Sequence, residues 1–166
     1  MPTPTYDLLA SNVLTSSASS VTFSSIPATY RDLIVVCTTL RSAAGSSYTV
    51  LRFNNDTGNN YSYVSMDGNG STTASTAGSA DSYIPPSAQY ANTNDTTWGV
   101  QVFQVMDYSA TDKHKTVISR GNNAALTASA TAGRWANTAA INRVDAVLLS
   151  GSFAAGSSFY LYGIVS

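Results

Sequence analysis

Residues 48–70 read YTVLRFNNDTGNNYSYVSMDGNG. Two segments of alternating side chains, Tyr48–Phe53 and Tyr61–Met66, flank the run Asn54-Asn55-Asp56-Thr57-Gly58-Asn59-Asn60. Alternation with a period of two marks a half-buried strand. Asn and Gly accept left-handed backbone angles, and Asn and Asp side chains close Asx-turns. The stretch therefore reads as strand, loop, strand: a hairpin with a long connection. Asp67-Gly68-Asn69-Gly70 is the next turn.

Working outward, the same pattern repeats. Upstream, Arg31–Leu40, RDLIVVCTTL, is the strongest strand, and its Leu33–Val36 block is apolar on both faces. That suits a strand enclosed on both sides or placed at a subunit contact. Tyr6–Ala10 and Val21–Phe23 are shorter strand candidates, separated by the polar, turn-like SNVLTSSASS. Downstream, Trp98–Met106, His114–Arg120 and Phe159–Val165 read as strands, Thr127–Trp135 as a weaker strand or loop. Ile141–Leu149 is open between strand and short helix, with its β-branched residues favouring strand. Ser71–Thr97 gives little signal beyond Tyr83-Ile84-Pro85-Pro86 and reads as a long loop carrying one or two short strands. The sum is eight to ten short strands and no clear helix. The fold class is all-β: an antiparallel two-sheet β-sandwich, as a jelly roll, with a closed barrel as the alternative. The expected organisation is an extended arm over residues 1–5, carrying Pro2 and Pro4, then one domain over 6–166.

Composition points the same way. Of 166 residues, 43% are apolar but only 10% charged, and the net charge is −1. A balance this close to neutral gives no electrostatic hold on nucleic acid or anionic lipid. All nine acidic residues are Asp, and Lys113 and Lys115 are the only lysines. Scarce Glu and Lys weaken any helix. The single cysteine, Cys37, rules out an intramolecular disulfide and reads as a small buried hydrophobe. No apolar run reaches membrane-spanning length. The N-terminus lacks a secretory pattern, so synthesis and folding in a cytoplasm are expected.

Groups able to do chemistry are few. His114 is the one histidine, flanked by Lys113 and Lys115 in a turn-like stretch with no third group to orient it as a base. No GxSxG elbow accompanies the many serines. The Asp residues lie mostly beside turn residues, as in Asp56-Thr57, Asp67-Gly68, Asp95-Thr96 and Asp112-Lys113, which turn chemistry explains without a carboxylate pair. Asn54, Asp56, Gly58 and Asn60 follow the alternate spacing of half an EF-hand loop, but a chain without Glu cannot supply the later bidentate ligand. No catalytic residue, cofactor-binding residue, metal site or cofactor is expected.

Four pieces, TYDLLASNVL, VTFSSIPATYRDLIVV, LRFNNDTGNNYSY and RWANTAAINRVDAVLLSGSFAAGSSFYLYGI, give the chain a resemblance to a family of tailed-bacteriophage virion proteins. It extends from about Thr5 to Ile164, and FSSIPATYRDL, RFNNDTGNNYSY and GSSFYLYGI are its most specific parts. The resemblance implies a β-sandwich module, found free or fused to fibre and tail components, with a structural role and no catalytic motif. Because only a short arm precedes the module here, the expected role is a capsid decoration, or cement, protein on the outside of the phage head. Its implied partner is the major capsid protein and its implied state a homotrimer, with no direct contact to nucleic acid or membrane. The candidate interface residues are Pro2, Pro4, Tyr6, Trp98, Trp135, Tyr160 and Tyr162. The rival reading is a carbohydrate- or receptor-binding module of a tail fibre or tail tip, with the Asn54–Tyr63 loop and Trp135 as its cue. A depolymerase is the third.

Overall fold

The computed structural model describes residues 4–86, 93–123 and 127–165. Pro2 lies outside them, as do most of the arm and the middle of the Ser71–Thr97 segment. Thirteen strands run through the described residues, and no helix interrupts them. In chain order they are β1 (Tyr6–Val13), β2 (Ser20–Phe23), β3 (Asp32–Thr39), β4 (Ser46–Ser47), β5 (Thr49–Phe53), β6 (Tyr61–Gly68) and β7 (Thr73–Asp81). Then follow β8 (Thr93–Asn94), β9 (Gly99–Met106), β10 (Lys115–Asn123), β11 (Thr127–Trp135), β12 (Val144–Leu148) and β13 (Ser158–Ile164).

Eight of these form one antiparallel sheet in the order β1-β13-β3-β9-β10-β11-β6-β7. A second sheet has the order β2-β12-β5, and β4 and β8 pair by themselves. The two-sheet sandwich read from the sequence is therefore present. Its division into eight strands and three is not the double four-stranded arrangement of a jelly roll, and that finer expectation gains no support.

Period-two alternation decides what each face holds. On the large sheet, Leu33, Val35, Cys37, Phe103, Val105, Val117, Phe159 and Leu161 point inward and are buried. Val21, Phe23, Leu51, Phe53, Val144, Ala146 and Leu148 meet them from the small sheet, forming one core. Each such side chain contributes about 1.5–3 kcal/mol when fully buried. Cys37 sits in this core as expected, and burial pushes its thiol pKa up to about 12.

Three strands cannot cover eight. Beyond β5, the sheet is lidded by Tyr83–Pro86, the one apolar point of the weak segment. Ile84 exchanges two backbone hydrogen bonds of 2.9 Å with Leu51. It packs so close to β11 that a Cβ at Gly133 would lie 2.8 Å from its side chain. The Ser119, Ser129 and Thr131 hydroxyls donate to the carbonyls of Pro85 and Pro86.

The opening stretch is corrected here. Its two strands form, but not as a hairpin: β5 pairs with β12 and β6 with β11 and β7. The Asn-rich loop is a crossover from the small sheet to the large one. Asn54 and Asn55 hold the left-handed angles their residue type permits, with φ of 51° and 58°. The hairpin lies one turn later, where Asn69–Thr72 returns the chain from β6 to β7. Of the segment expected as a long loop with one or two short strands, Thr73–Asp81 is a nine-residue strand at the sheet edge and Thr93–Asn94 a two-residue one.

Candidate functional site

The inner face of the large sheet is covered; nothing in the described residues covers the outer one. Residues directly opposite in an antiparallel ladder share a face, so the pairings give the outer surface row by row. One row crosses all eight strands: Leu8, Tyr162, Ile34, Gln104, Ile118, Ala132, Val64 and Ala77. Only Gln104 in it is polar. The next row is Ser11, Tyr160, Val36, Val102, Arg120, Ala130, Met66 and Ser75. Met66 is 65% exposed, Leu8 55%, Val64 54% and Ile118 40%. Val64 and Met66 stand together on β6, Ile118 across the alanines of β11, and Leu8 apart on the edge strand β1.

The face has two characters. Across β1, β13 and β3 it is aromatic and branched: Tyr160 and Tyr162 stack with ring centroids 6.4 Å apart, beside Leu8, Ile34 and Val36. Across β11 it is low, because Ala128, Ala130 and Ala132 hold the outward positions. They floor a furrow walled by Val64 and Met66 on β6 and by Ile118 and Arg120 on β10. Arg120 is the charged residue of these two rows, and Arg134 stands one row beyond them, opposite Thr116 and Ser62; both are exposed and without a carboxylate partner among the described residues. Asp32 sits at the end of β3, where it accepts from Arg31, the Gln104 amide and the Asp107 backbone N–H.

The expected interface residues fall in different places. Tyr6, Tyr160 and Tyr162 lie on the outer face. Tyr6 is 54% exposed, and Pro4 just ahead of it is exposed as well. Trp98 is partly exposed at the rim, its ring edge close to Gly156. Trp135 is corrected: it is fully buried. At the end of β11 it points inward and lies between Phe53 and Tyr61, with centroids at 5.6 and 6.3 Å. It is a core residue, with no face free for a partner or a sugar. Sequence reasoning missed Val64, Met66, Ile118 and the alanine furrow. Their signal, small and large residues alternating with polar ones, was present, but both faces of these strands are apolar enough to serve as either side.

The Asn54–Asn60 loop is used up internally. The Trp135 indole N–H donates to Asp56 Oδ2 at 2.7 Å. Asn60 Nδ2 and the Gly58 N–H donate to the same carboxylate at 2.9 and 2.8 Å. Burial acts to raise the Asp56 pKa, and these three donors outweigh it, leaving the carboxyl below its ordinary value. These donors occupy most of the carboxylate's acceptor positions. Among the described residues no group of three or more His, Cys, Asp or Glu could hold a metal ion.

Other ionisable groups are dispersed. His114 is exposed at the start of β10. Lys113 reaches Asp107 at 3.5 Å. Lys115 is buried, its ammonium donating to the carbonyls of Lys113 and Thr138 at 3.0 and 3.2 Å. Burial lowers its pKa. Asp145 pairs with Arg143 at 2.8 Å on the outside of the small sheet. No family model matches the chain, and no curated protein or solved structure matches it at a significant level.

Proposed function

We propose that this chain is a non-enzymatic structural protein of a bacteriophage virion, a decoration protein that stabilises the head by bridging major capsid subunits. One observation carries the reading: a continuous row of eight outward residues, six of them aliphatic and one a tyrosine, crosses the entire large sheet, partly or fully exposed along its length. A face like this is stabilised by contact with another protein. Eight strands at about 4.8 Å spacing and eight residues at about 3.3 Å rise give a face of roughly 1,000 Å². That is the area of one standard interface, ~800 Å² from each partner, or of two smaller contacts side by side. Few ions have to be stripped of water to bury it, which removes the main electrostatic penalty. The resemblance of FSSIPATYRDL, RFNNDTGNNYSY and GSSFYLYGI to phage virion proteins supplies the particle. Assembly as a homotrimer on the capsid surface, after synthesis in the host cytoplasm, belongs to the same reading.

The aromatic half of the face, with Tyr160, Tyr162 and Leu8, is the part we assign to the shell. Purified protein should bind expanded capsids and raise the temperature at which they lose their contents, and Tyr162→Asp should weaken that binding at least about tenfold. Absence of binding at micromolar protein, or a handful of copies per purified virion instead of hundreds, would overturn the assignment. The tail-tip carbohydrate reading loses its first cue, since Trp135 and Tyr61 are enclosed. A glycan array with specific hits and no capsid affinity would restore it.

A further inference from the structure

We infer that the other half of the open face, β10-β11-β6-β7, is a contact between two copies of this chain related by a two-fold axis parallel to the strands. The argument is shape. Across these four strands the outward side chains alternate large, small, large, small. Ile118 and Arg120 stand on β10, and Ala128, Ala130 and Ala132 on β11. Val64 and Met66 stand on β6, and Thr73, Ser75 and Ala77 on β7. An axis lying in the interface between β11 and β6 reverses the strand order and keeps each row level with itself. Large then meets small in the two central rows. Val64 faces the partner copy's alanine at 132, Met66 that at 130, Ile118 the one at 77, and Arg120 a serine at 75. In the lowest row Asn122 faces a threonine, so polar meets polar. A two-fold axis across the strands would instead set ridge on ridge.

The pattern is self-complementary, as an isologous contact requires, and interdigitated side chains are how two sheet faces pack. Arg134 of each copy falls opposite Ser62 at the open end of the furrow, where water reaches its guanidinium. Four strands by nine residues give a footprint of about 19 by 30 Å, or roughly 600 Å² from each copy. The total, about 1,200 Å², sits at the lower edge of stable specific interfaces. The contact is therefore of the size of a weak or transient association. A closed trimer holds no two-fold axis, so the contact makes dimers of single chains or joins two trimers as a hexamer. It holds whether or not the chain belongs to a phage head, and its test reads mass instead of capsid binding.

Sedimentation of the full chain at increasing concentration should show an even-numbered assembly, dimer or hexamer. Ala130→Arg, which fills the furrow at an exposed position, should weaken the two-fold step at least about tenfold while leaving the circular dichroism spectrum unchanged. Met66→Ala, which removes the opposing ridge without adding bulk, should weaken it less. Cross-linking gives an independent readout. Residues 77 and 118 are three strand spacings apart within one copy, about 14 Å, but face each other across the axis. Mixing the Ala77→Cys and Ile118→Cys variants with a thiol cross-linker shorter than that spacing should yield covalent dimers, and either variant alone should not. Cys37, enclosed in the core, does not compete. An odd-numbered assembly, a mass that Ala130→Arg leaves unchanged, or no cross-link in the mixture overturns the inference.

Discussion

Two connections in this protein are built from the same residue types and do opposite things. Asn54–Asn60 and Asn69–Thr72 each begin with an asparagine that organises the turn through its side chain. Asn69 Oδ1 accepts from the Ser71 and Thr72 N–H groups at 3.0 and 2.7 Å and from the Thr72 hydroxyl at 3.1 Å. Every one of these bonds closes within the turn, and the chain comes back beside itself as β7. Asn54 reaches away instead. Its Nδ2 donates to the Ala140 carbonyl at 2.8 Å, and its Oδ1 accepts the Asn142 and Arg143 N–H groups at 3.0 and 3.2 Å. Those partners lie in the segment leading into β12, so the loop is stitched to the small sheet while Asp56 and Trp135 tie it to the large one. Local turn chemistry permits a reversal; the distant partner decides where the chain goes.

The comparison breaks most visibly at Trp135. Trp135→Ala removes the indole donor to Asp56 and the ring contacts with Phe53 and Tyr61, and should cost about 3–5 kcal/mol. Against a total stability of about 5–15 kcal/mol for an ordinary domain, that should shift the urea midpoint sharply. A midpoint within error of wild type would show that the crossover is not anchored there.

A subtler separation uses pH. Asp56 has a folded pKa below its unfolded value, so its contribution is fully present above about pH 4 and is lost as the pH falls through the lower folded value. The stability gap between wild type and Asp56→Asn should therefore close on acidification. A gap that persisted unchanged into strong acid would mean that the carboxylate's charge is not what holds the loop.

The smallest effect belongs to the self-contained turn. Asn69→Ala loses only exposed local bonds and should cost about 1 kcal/mol or less, with no acid dependence of its own. A cost matching that of Trp135→Ala would erase the distinction between the two connections.

These differences also explain what could be read in advance. The strands Arg31–Leu40, Trp98–Met106 and Phe159–Val165 were legible because apolar residues with period two leave few alternatives. The left-handed Asn54 and Asn55 were legible because φ preference is local; the turn expected at 67–70 lies two residues later, at 69–72, because pairing with β7 carries β6 on through Gly68. The pairing of β5 was not, since it depends on Val144–Leu148, some ninety residues away. Nor was β7: TASTAGSAD has no large apolar side chain, and its strand exists only because β6 presents an edge for it. Trp135 was read as a surface aromatic because composition says nothing about direction. Its position at the inward phase of β11 follows only from register. The open face was hidden for the same reason, with both phases of β6 and β10 carrying apolar residues.

One arrangement has a kinetic consequence. β13 lies between β1 and β3, and β12 between β2 and β5. The first strands of both sheets therefore wait, unpaired, for segments near residues 144–164 to emerge from the ribosome. Neither layer can close before those segments have been made. The β6-β7, β9-β10 and β10-β11 pairs are local and can form early, but the contacts that close the two sheets span about ninety residues or more, where ordering the intervening chain is slowest. During that interval β1 and β2 are exposed edges, and the time a nascent chain spends in this state is set by translation rather than by its own collapse.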